Sequence, residues 1–274
     1  MYAVDFSYDG QYLSDYGLVI CSFDGPSGSE TVSAGSKITF NTVPMHSGKN
    51  YSLTGTQYDE CITATFSIAK NPCYHENSNN MKITNEEYRD IMRWLNRRGF
   101  LKFQIFDENE TERDACYYNA SFNVEKVLLG GELYGLTLTM ETDKPFGYGE
   151  ERTFLYRMKV GAEYDLWDLS DEIGYIYPNM IITCNESGDL QLENLTEECL
   201  MEIKNCSAGE VITIDGTSQI ITTTYKESHA IYDDFNFEFF RVGNTFNNRN
   251  NIITTTLPCT LEIRYEPIIK DSPE

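Results

Sequence analysis

The chain has 274 residues, 41% hydrophobic and 13% aromatic, which is enough to bury a core and excludes wholesale disorder. Its formal net charge is −22, from 43 Asp and Glu against 21 Lys and Arg, and such a surface repels nucleic-acid phosphates and anionic lipid head groups. The length fits one large or two ordinary domains, and the aromatic excess lies in Tyr and Phe, which suit strands.

The N-terminus, MYAVDFSYDGQYLSDYG, places Asp5 and Asp9 where a secretory signal needs a basic start and an apolar run. No apolar run approaches the ~20 residues that span a bilayer. The expectation is a chain made and folded in a cytoplasm, with no membrane partner. Asp9-Gly10 between two aromatic-rich runs predicts a hairpin. Residues 17–23 and 61–69 read as strands, 25–35 as a small polar loop and 74–80 as a loop leading into a helix.

That helix is predicted over 84–98. Thr84 and Glu87 form a capping box, and Tyr88, Ile91, Met92 and Leu95 recur on one face. Arg97 and Arg98 suit the last turn, and Gly99 suits a left-handed terminating position. Strands follow over 101–107 and 132–141. Pro145, Gly147 and Gly149 then end the run, which places a domain boundary between 1–145 and 146–274.

The second half predicts strands over 175–184, 189–193, 199–204, 211–215, 219–224 and 259–265. Gly188-Asp189, Gly209-Glu210, Asp215-Gly216 and Gly243-Asn244 supply the turns. That rhythm belongs to an antiparallel β-sandwich. The fold class is therefore mainly β: an N-terminal β-sandwich or barrel-like domain with one α-helix, followed by an antiparallel β-sandwich.

Residues 233–241, DDFNFEFFR, pose the main functional question. In a strand, period 2 puts Phe235, Phe237 and Phe239 on one face and Asp234, Asn236, Glu238 and Phe240 on the other. Val242 to Thr245 then reads as a turn. The same letters also fit a sugar-binding face with Asn236, Glu238 and Arg241 as hydrogen-bonding groups. Asp233, Asp234 and Glu238 could supply the paired acids of a glycosidase, which sit ~5–9 Å apart. With 43 acidic residues in the chain, adjacent acids carry little diagnostic weight, and the strand reading is preferred.

The eight cysteines include no CxxC, and neither His46, His75 nor His229 lies near a cysteine pair at zinc-ligand spacing. Cys21, Cys61, Cys116, Cys184 and Cys259 fall inside strand-like runs, as reduced core thiols do. Phosphate-binding Gly loops, GxSxG, HExxH and calcium loops are missing from the sequence, so no catalytic, cofactor or metal residue is assigned.

The order of elements carries a resemblance. DFSYDGQYLSDYGLVICSFDG is followed by the capped helix TNEEYRDIMRWLNRRGFLKFQIFD, then METDKPFGYGEE, IYPNMIITCNESGDLQLENLT, GEVITIDGTSQIITT, IYDDFNFEFFRVGNTFNN and LEIRYEP. Along nearly the full chain this layout resembles the distal tail protein family of long-tailed, siphovirus-like bacteriophages. The resemblance implies a homo-hexameric ring at the distal end of the tail tube, built by N-terminal domains, with a galectin-like sandwich projecting from each subunit.

Its implied partners are the tail tube protein, tail-tip or tail-associated proteins, and receptor-binding or baseplate proteins. Genomic DNA would pass through the bore, where an acidic lining keeps phosphate from sticking. The implied place is the virion, assembled in the bacterial cytoplasm, and the implied role is structural, not enzymatic. For the ring contacts we expect the N-terminal hairpin and the strands flanking the helix, because closure needs edges that can be paired.

Sugar-binding galectins use a His, Asn and Arg cluster with a stacking Trp. Here Trp94 lies on the helix, Trp167 precedes the sandwich and His229 lacks an HxNPR context. The galectin-like domain is therefore expected to be an interaction scaffold, with Asn236, Glu238 and Arg241 facing a glycan or a partner protein. The alternative is a stand-alone carbohydrate-binding module of an adhesin.

Overall fold

The computed structural model describes residues 3–23, 37–45, 51–74, 81–107, 116–245 and 247–271. The expected loop at 25–35, most of that at 74–80, and His46 and His75 lie outside the described residues. The fold is mainly antiparallel β with a single long helix, as the alternation in the sequence predicts. Two compact units emerge: Met1–Gly149 with Ile269–Glu274, and Glu150–Ile268.

In the first unit one sheet runs in the order Gln11–Tyr12, Ala3–Tyr8, Leu101–Asp107, Tyr117–Leu129, Glu132–Thr142, Thr63–Lys70 and Leu18–Cys21. Asp9 and Gly10 make the first hairpin turn, with φ of 52° and 73°, the left-handed pair a two-residue turn requires. Phe6, Tyr8, Phe103, Phe122, Leu136, Leu138, Met140 and Ile68 point to one face and form the core. A separate two-stranded hairpin, Ile38–Pro44 with Tyr51–Tyr58, stands outside this sheet.

The helix Asn85–Leu95 covers the core face with Ile91, Trp94 and Leu95. Its capping box is present: Thr84 Oγ1 accepts from the Glu87 amide at 3.3 Å, and the Thr84 amide donates to the Glu87 carboxylate at 2.7 Å. Glu87 is further tied to Lys70 at 2.7 Å. Trp94 stacks between Phe6 and Tyr16, at 5.6 and 4.5 Å, and donates its indole N–H to the Tyr8 carbonyl at 2.8 Å.

The helix ends three residues earlier than expected. Asn96 leaves helical geometry at φ −85°, ψ 78°, and Gly99 sits at φ 149°, not in the left-handed terminating region. Arg97 folds back instead, donating to the Trp94 carbonyl and lying 3.5 Å from Asp9.

The second unit is a sandwich of two sheets. One runs Arg152–Met158, Cys259–Tyr265, Asn179–Cys184, Val211–Asp215, Ile220–Thr223; the other runs Tyr164–Trp167, Asn250–Thr255, Gly188–Asn194, Cys199–Cys206. Alternate residues of both, including Met180, Ile182, Leu190, Leu192, Met201, Ile253 and Leu261, fill the space between them.

Two expectations are corrected in this unit. The predicted strand 175–184 is broken at Tyr177-Pro178 into Gly174–Ile176 and Asn179–Cys184, since proline offers no ladder donor. The predicted turn at Val242 to Thr245 is instead a strand, Val242–Asn244, paired with Gly174–Ile176. None of the eight cysteines forms a disulfide; Cys184, Cys199, Cys206 and Cys259 are buried, and burial pushes the Cys259 thiol up to about 11.

Candidate functional site

The predicted strand over 233–241 does not form. Ile231–Asp234 is a single helical turn, and Phe235 makes one bridge to Ile203 before the chain leaves the sheet. Phe237 then takes φ +59°, rare for an aromatic residue, and this breaks the period-2 phase. Phe235 and Phe240 enter the core, Phe239 is half-buried against it, and Phe237 points outward at 65% exposure. The inward assignment of Phe237 and the outward one of Phe240 are thereby reversed.

Asn236 sets this shape. Its side-chain oxygen accepts from the Glu238 amide at 3.1 Å, and its amide group donates to the Leu200 carbonyl at 2.9 Å. The result is an Asx turn with Phe237 at its apex, fastened to the sandwich edge. Arg241 lies over the Tyr175 ring at 4.5 Å, donates to the Glu197 carbonyl at 3.5 Å and pairs with Glu238 at 3.7 Å. The Cys199 thiol, held above its ordinary range by burial, contacts Glu238 and the Phe239 carbonyl.

The structure thus brings Asn236, Glu238 and Arg241 together, but their hydrogen bonds are largely spent on fixing the loop. The acids proposed for glycoside chemistry are separated by role. Asp234 turns to Asn205 at 2.9 Å and to His229 at 3.4 Å, Asp233 is exposed, and Glu238 faces Arg241. What the segment offers is an exposed aromatic ring beside a carboxylate on a rigid turn. That suits contact with another macromolecule.

Two buried polar clusters hold this segment, and neither was visible in the sequence. Glu210, fully buried, accepts from Thr223 Oγ1, from the Ser207 amide at 2.8 Å and from His229 Nδ1 at 2.6 Å. Burial pushes the Glu210 carboxyl up; the hydrogen bonds from Thr223, Ser207 and His229 more than offset this and leave it below the usual carboxylate range. The second cluster is Asn194 with Asn251. The Asn251 side chain accepts from Asn194 Nδ2 at 2.7 Å and from the Gly243 amide at 2.8 Å, and donates to the Gly243 carbonyl at 2.9 Å. Gly243 has no room for a Cβ, because the Glu197 side chain fills that position.

The first unit presents two further surfaces. On the sheet face away from the core, register aligns Thr65, Thr139 and Asn123 in one row, and Ser67, Thr137 and Glu125 in the next. Thr63, Glu141 and Ser121 form a third row, giving a hydroxyl-rich face whose charges in these rows are carboxylates. The separate hairpin carries exposed Ile38, Phe40, Val43, Met45, Tyr51 and Leu53. Among the described residues, no group of three or more His, Cys, Asp or Glu is placed to hold a metal ion, and no helix is long and apolar enough to cross a membrane.

Comparison with known proteins gives consistent results. Residues 1–144 match the family described as phage tail protein N-terminal domain, and residues 146–265 match that described as phage tail C-terminal domain. No protein of curated function matches the sequence. Among solved structures, the chain is similar to the Dit protein (gp 19.1) of phage SPP1, described as a paradigm of the hub adsorption apparatus in phages infecting Gram-positive bacteria. The TM-score is 0.64 at 12% identity, over 97% of this chain and 99% of that one, a likeness of fold. A chain of the phage p2 baseplate, in its activated conformation with Sr, matches at TM-score 0.45 and 10% identity, over 96% and 97% of the two chains. Through both of its domains, the chain belongs to the phage tail protein family.

Proposed function

We propose that this protein is a distal tail hub. In this reading residues 1–145 build a homo-hexameric ring that joins the tail tube to the tail tip or baseplate. Residues 146–274 form a galectin-like scaffold that supports tail-associated and receptor-binding proteins. The protein acts in the virion after assembly in the bacterial host's cytoplasm, and it has no catalytic role. The observation that carries the reading is the end-to-end fold likeness to the SPP1 Dit protein, 97% of this chain against 99% of that one, within a phage tail family.

The site residues fit a protein contact better than a glycan cleft. Asn236 and Arg241 are engaged within the loop, while Phe237 and the outer side of Glu238 face solvent. The hydroxyl rows around Thr139 and Thr137, with Glu125 and Glu141, suit the lining of a bore through which genomic DNA passes without specific binding. Negative-stain microscopy of the purified chain tests the ring: six-fold particles support it, and uniform monomers that bind glycans on an array would replace it with the carbohydrate-binding alternative.

A further inference from the structure

Three thiols meet at one end of the second unit's core. Cys184 ends strand Asn179–Cys184, Cys259 begins strand Cys259–Tyr265, and the two are directly opposed in register. Cys206 ends strand Cys199–Cys206 in the facing sheet. From there the chain runs back against Cys184. The Gly209 amide donates to the Cys184 carbonyl at 2.8 Å, and the Cys184 amide donates to the Glu210 carbonyl at 2.9 Å. All three cysteines are buried, and the Cys206 and Cys184 thiols share a hydrogen bond.

Geometry selects one pair of the three. The Asn185 amide donates to the Pro258 carbonyl at 2.9 Å, which makes Cys184 and Cys259 a non-hydrogen-bonded cross-strand pair. Such pairs have Cα atoms about 4.5 Å apart, at the short edge of the ~4.4–6.8 Å that a disulfide spans. The Cys259 thiol is also engaged with the Thr255 side chain. Cys184 and Cys206 instead touch thiol to thiol, and they lie on opposite sheets of the sandwich. The hydrogen bond with Cys184, burial and the nearby Glu210 carboxylate hold the Cys206 thiol well above its ordinary range. Such a thiol is a slow nucleophile, which suits a structural cross-link and not a fast redox sensor.

We propose that Cys184 and Cys206 are an oxidative modification site, closing under a peroxide into a disulfide that staples the two sheets of the second unit. One thiol, as its thiolate, attacks a peroxide oxygen; the O–O bond breaks, the sulfur becomes a sulfenic acid and one water leaves. The other sulfur then attacks the sulfenic sulfur, the S–O bond breaks, the S–S bond forms and a second water leaves. Two thiols are thereby oxidised by two electrons and one hydrogen peroxide is reduced to two waters. The bond requires only the sandwich. Its occasion, release of a virion from a reducing cytoplasm into oxidising surroundings, rests on the tail reading.

The test uses the full chain in a Cys73→Ser background, which removes the exposed thiol. The folded chain is treated with hydrogen peroxide and then denatured in an alkylating agent. Peptide mass mapping without reductant locates any S–S bond, and differential scanning calorimetry reads the second unit's transition before and after oxidation. We expect a Cys184–Cys206 link, a transition raised by about 5–15 °C, and reversal of both by dithiothreitol. Cys259→Ala should keep the link and Cys206→Ala should lose it; mapping of the chain with all three thiols decides the pairing whether or not either variant folds. If Cys184 and Cys206 stay reduced, if Cys184 links to Cys259 instead, or if the link leaves the transition unraised, the proposal is overturned. These readouts are the same for a monomer and a ring, so their failure leaves the tail reading standing, and that reading is tested separately by native mass.

Discussion

Replacing His229 with Leu should selectively unlock the second unit. His229 Nδ1 is 2.6 Å from the Glu210 carboxylate, which is fully buried and keeps only Thr223 and the Ser207 amide once the imidazole is gone. Removing one partner of a buried pair costs about 3–5 kcal/mol. Unit Glu150–Ile268 has a total stability of roughly 6–18 kcal/mol at roughly 0.05–0.15 kcal/mol per residue. For a unit of this size each kcal/mol lowers Tm by roughly 3–5 °C, so His229→Leu should lower its transition by about 10–20 °C. Differential scanning calorimetry of the full chain measures this, with Trp94 emission in a Trp167→Phe background as the control that the first unit is unaffected. The double variant His229→Leu/Glu210→Leu should recover most of the loss, because it removes both partners instead of orphaning one. A shift below about 2 °C in the single variant, or a double variant no better than the single one, would refute the reasoning.

The same carboxylate sets an acid limit. Glu210 is depressed when folded, so its contribution is full above the unfolded value of about 4.3 and is lost as pH falls through the lower folded value. The second unit should therefore lose stability below about pH 4, and Glu210→Gln should be less stable at neutral pH with a flatter acid limb, as read by urea unfolding at several pH values. Asn251→Ala should cost about 1–3 kcal/mol by orphaning the Gly243 amide and carbonyl and Asn194, with hydrogen exchange at Gly243 rising in step. Phe237→Asn should leave stability unchanged or raise it by up to about 1 kcal/mol, since Asn adopts the left-handed region more easily; a larger loss would mean that the ring packs on the sandwich in solution.

Much of the fold was legible because it rests on short-range rules. Asp9-Gly10 declared its hairpin through backbone conformation, and Thr84 with Glu87 declared the helix start through reciprocal capping. The helix end was less legible. Arg97 is held by Trp94 and Asp9, a tertiary bond that overrides the tidy stop suggested by Gly99. The segment around Phe237 misled the period-2 reading for a related reason. The Asn236 side chain shapes the turn around left-handed Phe237 by accepting from the Glu238 amide, and its second bond, to Leu200 thirty-six residues earlier, fastens that turn in a way no local pattern reveals.

The candidate site residues followed the same division. Asn236, Glu238 and Arg241 stood out by type, and they do lie together, but Asn236 bonds to Leu200 and Arg241 to Glu197, partners distant in sequence, while Glu238 pairs locally with Arg241. Glu210 and His229 are nineteen residues apart with no motif between them, so their pairing was invisible before the sandwich closed.

The measurement that bears most directly on the central claim is the native mass of the purified full chain, read together with class averages from electron microscopy. The account predicts a species of six copies of the 31.4 kDa chain, closed as a ring with an open bore. A monomer at every concentration, or an assembly without a central channel, would contradict it.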